Sequence, residues 1–209
     1  MARLWDITPP VDATSPVFPG DQAYDAGWTF RIGPGCPVNV ARLTLSPHTG
    51  AHADAPLHYS ADGTPAGALD LAAYLGPCRV VHATSARPLV TLADVAHALD
   101  GQPPPRLLVR TYDRQPTSWD AGFAGLDPVL LDDLGRRGGV LIGTDAASLD
   151  PADSKGLEAH HTAHRHDLRI LENLLLDDVP EGDYELIALP LKLTGADAAP
   201  VRAVLRELA

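Results

Sequence analysis

Cysteine is almost missing from this 209-residue chain: Cys36 and Cys78 are the two it has, and neither belongs to a CxxC pair. That excludes a disulfide framework, and reduced packing residues in a cytoplasmic protein are the expectation. Long apolar runs are missing as well. No stretch approaches the ~20 residues that a membrane helix needs, and Met1-Ala2-Arg3-Leu4-Trp5-Asp6 has no apolar h-region, so no secretory signal is expected. Runs of Lys or Arg are also lacking, with 27 acidic against 16 basic residues and a net charge of −11. Nucleic acid and anionic membrane are disfavoured as partners on that balance. There is no Gly-x-Ser-x-Gly elbow, and neither cysteine lies within a histidine cluster, which weakens the case for a serine or cysteine nucleophile. Neither phosphate-cradling glycine motif, GxGxxG or GxxxxGK[ST], occurs.

What is present describes an ordinary globular chain, 45% hydrophobic and 21% charged, long enough for one domain spanning 1–209. Twenty prolines and eighteen glycines, dispersed throughout, predict many short elements joined by turns. Strands are expected at 4–8, 78–84, 106–111, 140–143 and 184–193. The alternation of 41–46 predicts a further, half-buried strand, while 11–40 reads as loop. Thr91-Leu92-Ala93-Asp94 resembles a capping box opening a helix to Leu99, and Asp127-Pro128 supplies an N-cap and an N1 proline for a second helix that Gly138 closes. Third and fourth helices are expected over 157–166 and 200–208, and 102–105 reads as a rigid connector. Strands interspersed with helices predict a single mixed α/β domain.

Histidine carries the chemistry. Of nine in the chain, His48, His52 and His58 fall within eleven residues, together with Asp54. Pro47, Gly50 and Pro56 mark that segment as a loop, which can aim several side chains at one point. Imidazole and carboxylate together suit zinc, manganese or iron, and a carboxylate such as Asp54 can bridge two ions. His58 could be a further ligand, but it is better used as a general acid/base beside the metal, because an unperturbed imidazole titrates near ~6.5. A second cluster lies at 158–166, with Glu172 beyond it. Helical periodicity pairs His160 with His164, the competing pair is His160 with Glu172, and spacing alone does not choose between them. His161, His164 and His166 read as a solvated helix face, His82 and His97 as core or surface residues, and Asp113, Asp145 and Asp150 as caps or turn formers.

The segment from His48 to His58, HTGAHADAPLH, resembles the signature of the cyclase-like metal hydrolases. Flanking blocks around Asp6, Pro16, Leu141 and Leu189 to Arg202 are similar to the bacterial arylformamidases, the kynurenine formamidases, within that superfamily. The resemblance runs nearly end to end. It implies an α/β fold with a barrel-like β core and peripheral helices, a homodimer, and two divalent ions per subunit, zinc with manganese as the alternative. By the same resemblance one ion takes His48, His52 and Asp54, and the other takes Asp54, His160 and Glu172. The family's downstream ligands stand twelve residues apart, so the resemblance implies His160 and not His161 as the partner of Glu172. His58 matches the acid/base, and Phe18 stands where the family places an aromatic residue, commonly Trp, against the substrate. The implied reaction is metal-assisted hydrolysis of N-formyl-L-kynurenine to L-kynurenine and formate. The alternatives are a cyclic-amide or lactone hydrolase on the same site, or a metal-binding protein without turnover.

Overall fold

A computed structural model describes residues 2–101 and 104–208 of the chain, and the connector expected at 102–105 lies partly outside the described residues. The strands are β1 (Leu4–Asp6), β2 (Asp25–Phe30), β3 (Val40–Thr44), β4 (His52–Asp54), β5 (Leu75–His82), β6 (Leu89–Val90) and β7 (Arg106–Arg110). They continue with β8 (Gly125–Leu126), β9 (Leu141–Thr144), β10 (Arg169–Glu172), β11 (Gly182–Ile187), β12 (Ala198–Pro200) and β13 (Val204–Glu207). Between them lie helices α1 (Leu92–Leu99), α2 (Pro128–Arg136) and α3 (Glu158–Arg165).

Nine strands make one curled half-barrel sheet in the order β1-β13-β11-β5-β7-β9-β10-β4-β12. Its centre, from β5 through β7 and β9 to β10, is parallel, and both flanks are antiparallel. A parallel centre must be covered on both faces. Leu107, Val109, Ile142 and Ile170 face the helices, where they meet Leu99, Leu130, Leu134 and Ala163. The alternate residues Leu108, Leu141 and Leu171 face a second core with Ile7, Tyr74, Leu186 and Leu205. The mixed α/β fold and barrel-like core are therefore as expected.

Two helix starts also match the local chemistry. Asp94 Oδ2 accepts from the Thr91 N–H at 2.8 Å in a complete capping box, and Asp127 Oδ1 accepts from the Val129 N–H at 2.8 Å ahead of α2.

The C-terminal helix expected over 200–208 is not there; β12 and β13 occupy that stretch. Good helix formers concealed a period of two: Val201, Ala203 and Leu205 are buried while Arg202 and Arg206 are exposed. Pairing of β13 with both β1 and β11 overrides the intrinsic preference. The strand at 41–46 forms as β3, but it is exposed along its length and not half-buried, because among the described residues its one ladder partner is β2, inside the expected loop. The histidine segment is not all loop either, since His52–Asp54 is strand β4 between β10 and β12. The strand expected at 184–193 ends earlier, at Ile187.

Candidate metal centre

Strand register builds the centre. In the antiparallel pair β4–β10, His52 stands opposite Glu172, and Ala53 opposite Leu171. Side chains alternate across a strand, so His52, Asp54 and Glu172 share the helix-side face while Ala53 joins the other core. Helix α3 covers that face and lowers His160 onto it; His160 is buried, with Nε2 3.3 Å from Asp54 Oδ2 and 3.5 Å from Glu172 Oε1. Before β4, the chain turns at Gly50, whose φ of +67° and whose approach to Val11, 2.7 Å from where a Cβ would sit, leave room for no larger residue. That turn swings His48 back, with Nδ1 3.2 Å from Asp54 Oδ1.

Each of the three histidines is oriented from behind. The His52 Nδ1–H donates to the Gly50 carbonyl at 2.9 Å, and the His160 Nδ1–H donates to Asp150 Oδ2 at 2.7 Å. The His48 Nε2–H donates to Asp197 Oδ2 at 3.0 Å. Three lone pairs are left pointing inward at the carboxylates of Asp54 and Glu172. Such outer partners fix tautomer and ring orientation in metal sites. Asp150 also accepts from the N–H groups of Ala159 and His160, at 2.9 and 3.0 Å, so one carboxylate both caps α3 and holds its histidine.

This arrangement demands positive charge at its middle. His52 Nε2 and Asp54 Oδ1 are buried, 3.3 Å apart, and have no hydrogen-bond partner among the described residues. Lone pairs facing carboxylates repel unless a proton or a metal cation lies between them. In the protein alone, burial opposes a charge on His52, yet Asp54 and Glu172 override it and raise its pKa to about 10. His160 is likewise raised, against its burial, by Asp150, Asp54 and Glu172. Asp54 is held well below the usual carboxylate range, its own burial outweighed by His160, His48 and His52. The donor set, three imidazoles with two carboxylates, fits a divalent ion.

His58 sits on a short turn, Pro56–His58, just past β4. Its ring centroid lies 4.3 Å from that of His48 and 6.0 Å from that of His160, and its Nδ1–H donates to Asp197 Oδ2 at 3.1 Å. One ring nitrogen of His58 also comes close enough to Asp54 and His160 for shared ligation, all three donors lying within 4.8 Å of one another. Beside the centre opens a cavity of about 660 Å³, lined by His48, His58 and Glu172 and by Phe18, Trp119 and Phe123. Phe18 meets Trp119 edge to face at 5.3 Å, and Trp119 meets Phe123 at 6.1 Å.

All five expected ligands, with His58, thus converge, and Phe18 reaches the same cavity. His164 does not join them: it is exposed on α3, against the Tyr59 ring at 5.6 Å. His161 is exposed too, and His166 is tied to Asp132 at 2.8 Å. Sequence reasoning gave Trp119 and Asp197 no role, and took Asp150 for a cap or turn former. Asp197 lies 149 residues from its partner His48, so no local spacing could reveal it.

Fold and site together define a hydrolase whose His/Asp/Glu cluster can hold metal. The family model described as Cyclase matches residues 5–151, and the chain belongs to that family. A kynurenine formamidase from Delftia acidovorans is 61% identical over 207 residues, 99% of each chain. The solved structure of a predicted metal-dependent hydrolase from Bacillus stearothermophilus, 30% identical, superposes over 100% of both chains with a TM-score of 0.84. An isatin hydrolase, at 22% identity and a TM-score of 0.83 over 100% of this chain and 93% of its own, shares the fold. No helix among the described residues is long and apolar enough to cross a membrane.

Proposed function

We propose that this enzyme hydrolyses N-formyl-L-kynurenine to L-kynurenine and formate, using two divalent ions held by His48, His52, Asp54, His160 and Glu172. The observation that carries the metal centre is the trio of inward-facing lone pairs around buried carboxylates. Identity of 61% to a kynurenine formamidase over nearly the whole chain directs it to the aryl formamide. Two ions are favoured because Asp54 turns one oxygen to His48 and His52 and the other to His160. Asp150 and Asp197, behind the ligands, bring the local carboxylates to four, the charge of two divalent cations. Zinc is the first candidate and manganese the second.

When bound, the ions supply an activated water and polarise the formyl oxygen. The chain's own groups do the rest. His58 takes a proton at Nε2 and delivers it to the aniline nitrogen as the C–N bond breaks. Phe18, Trp119 and Phe123 form a wall for the aryl ring.

The test is release of L-kynurenine by zinc-loaded protein, with chelator-stripped protein as control. Metal-dependent release supports the reading. No release from protein that holds its ions overturns it and shifts the substrate to a cyclic amide or lactone.

A further inference from the structure

Asp197 is half-exposed at the mouth of the centre, and a single one of its oxygens, Oδ2, receives both the His58 Nδ1–H at 3.1 Å and the His48 Nε2–H at 3.0 Å. We infer that Asp197 is a positioning residue for His58, fixing the tautomer that leaves Nε2 free to move the proton. The inference rests on the formamidase reading above.

The backbone holds Asp197 in place for this task. Its carbonyl accepts from the Ala55 N–H at 2.9 Å, and Ala55 in turn accepts from the His58 N–H at 2.8 Å. The next residue, Ala198, pairs with Asp54 in the β4–β12 ladder. Ligand strand, His58 turn and Asp197 are therefore tied together by main-chain bonds before any side chain is considered. A carboxylate can only accept, so the shared proton must sit on Nδ1 of His58. Nε2, which has no protein partner among the described residues, is left as the base, on a ring that lines the cavity.

The step balances on these groups. Water gives its oxygen to the formyl carbon and a proton to Nε2 of His58. The C–N bond breaks with its electron pair on the aniline nitrogen, which takes the proton back from Nε2. Asp197 stays ionised and stabilises the imidazolium between the two transfers. It plays the part that a carboxylate plays behind histidine in hydrolytic triads, and removing such a partner reverses the tautomer.

The experiment compares wild type, Asp197→Asn, His58→Ala and the double variant, all saturated with zinc and with metal content measured. Substrates are N-formyl-L-kynurenine and 4-nitroformanilide, whose amine leaves with less need of a proton. Asp197→Asn keeps the shape but donates to Nδ1, leaving Nε2 protonated and useless as a base. The expected result is a loss in kcat of about 100-fold or more, with KM and metal content little changed. The loss shrinks on 4-nitroformanilide, and Asp197→Asn adds nothing to His58→Ala.

Additive losses in the double variant overturn the inference, as does loss of zinc at saturation, which makes Asp197 a ligand. Full recovery of Asp197→Asn on zinc saturation overturns it too, by placing the whole effect at His48. Wild type that turns over N-formyl-L-kynurenine beside an equally active Asp197→Asn sinks this inference alone. Inactive wild type sinks the formamidase reading itself.

Discussion

His52 and Glu172 face one another across the β4–β10 ladder, with Nε2 3.4 Å from Oε2 and both side chains buried. Among the described residues no hydrogen-bond partner reaches His52 Nε2. The pair is thus a consequence of strand register, and a one-residue slip of β4 would turn His52 to the face opposite Glu172.

A pH dependence follows from that pair. In metal-free protein the carboxylates, working against burial, raise the His52 pKa from 6.5 to about 10. A group raised on folding stabilises fully below its unfolded pKa and loses that contribution as pH climbs through the folded one. The melting temperature of chelator-treated protein should therefore fall from pH 6.5 toward pH 10. Added zinc should raise it most at the alkaline end, where protons compete least for the imidazoles. Calorimetry at stepped pH, with and without metal, checks this; a flat metal-free profile contradicts it.

His58→Ala should retain its metal and lose turnover by about 10²–10⁴-fold, the contribution of a positioned acid/base. Elemental analysis beside steady-state kinetics separates the roles. Loss of an ion in this variant would make His58 a ligand, which its proximity to Asp54 and His160 allows.

Asp150→Ala removes at once the acceptor behind His160 and the cap on α3. Zinc affinity should drop by about 10–100-fold, and the metal-free protein should lose about 1 kcal/mol of stability from the lost cap. Competition against a chelator reads the first and denaturant unfolding the second. Unchanged zinc affinity would show that His160 needs no support.

Phe18→Ala strips one face from the aromatic wall and leaves the Trp119 edge without its partner. An aromatic pair contributes about 1 kcal/mol, so KM should rise several-fold while kcat holds. Phe18→Trp should keep KM near wild type. A change in kcat alone would place Phe18 nearer the reacting atoms than the wall.

The β2–β3 hairpin carries Trp28, Phe30, Ile32, Val38, Val40 and Leu43, each 41–66% exposed. Apolar surface of this extent is typical of interaction surfaces, and a homodimer is the occupant we propose for it. Light scattering should return twice the 22.1 kDa chain mass for the wild type and a smaller species for Trp28→Ser with Leu43→Ser. A wild-type monomer would overturn the dimer.

The helix starts at Thr91 and Asp127 were legible because caps act over three residues, and the central strands were legible as short apolar runs between turns. The segment over 200–208 was misread for the opposite reason. Its residues favour helix, and the ladder partners that override them, in β1 and β11, stand far away in sequence. The site divides along the same line. His48, His52, Asp54 and His58 announced themselves by crowding into eleven residues, since one tight turn can bring together groups close in sequence.

The donor chemistry, the acid balance, the scarcity of thiols and the lack of a nucleophile elbow belong to the chain as written. That His160 joins Glu172 and not His164, that Asp150 and Asp197 stand behind the ligands, and that Trp119 meets Phe18 belong to the fold. Those relationships span 10 to 149 residues and depend on register and helix docking. Packing energy summed over the whole sheet sets both, and no short window of sequence contains it.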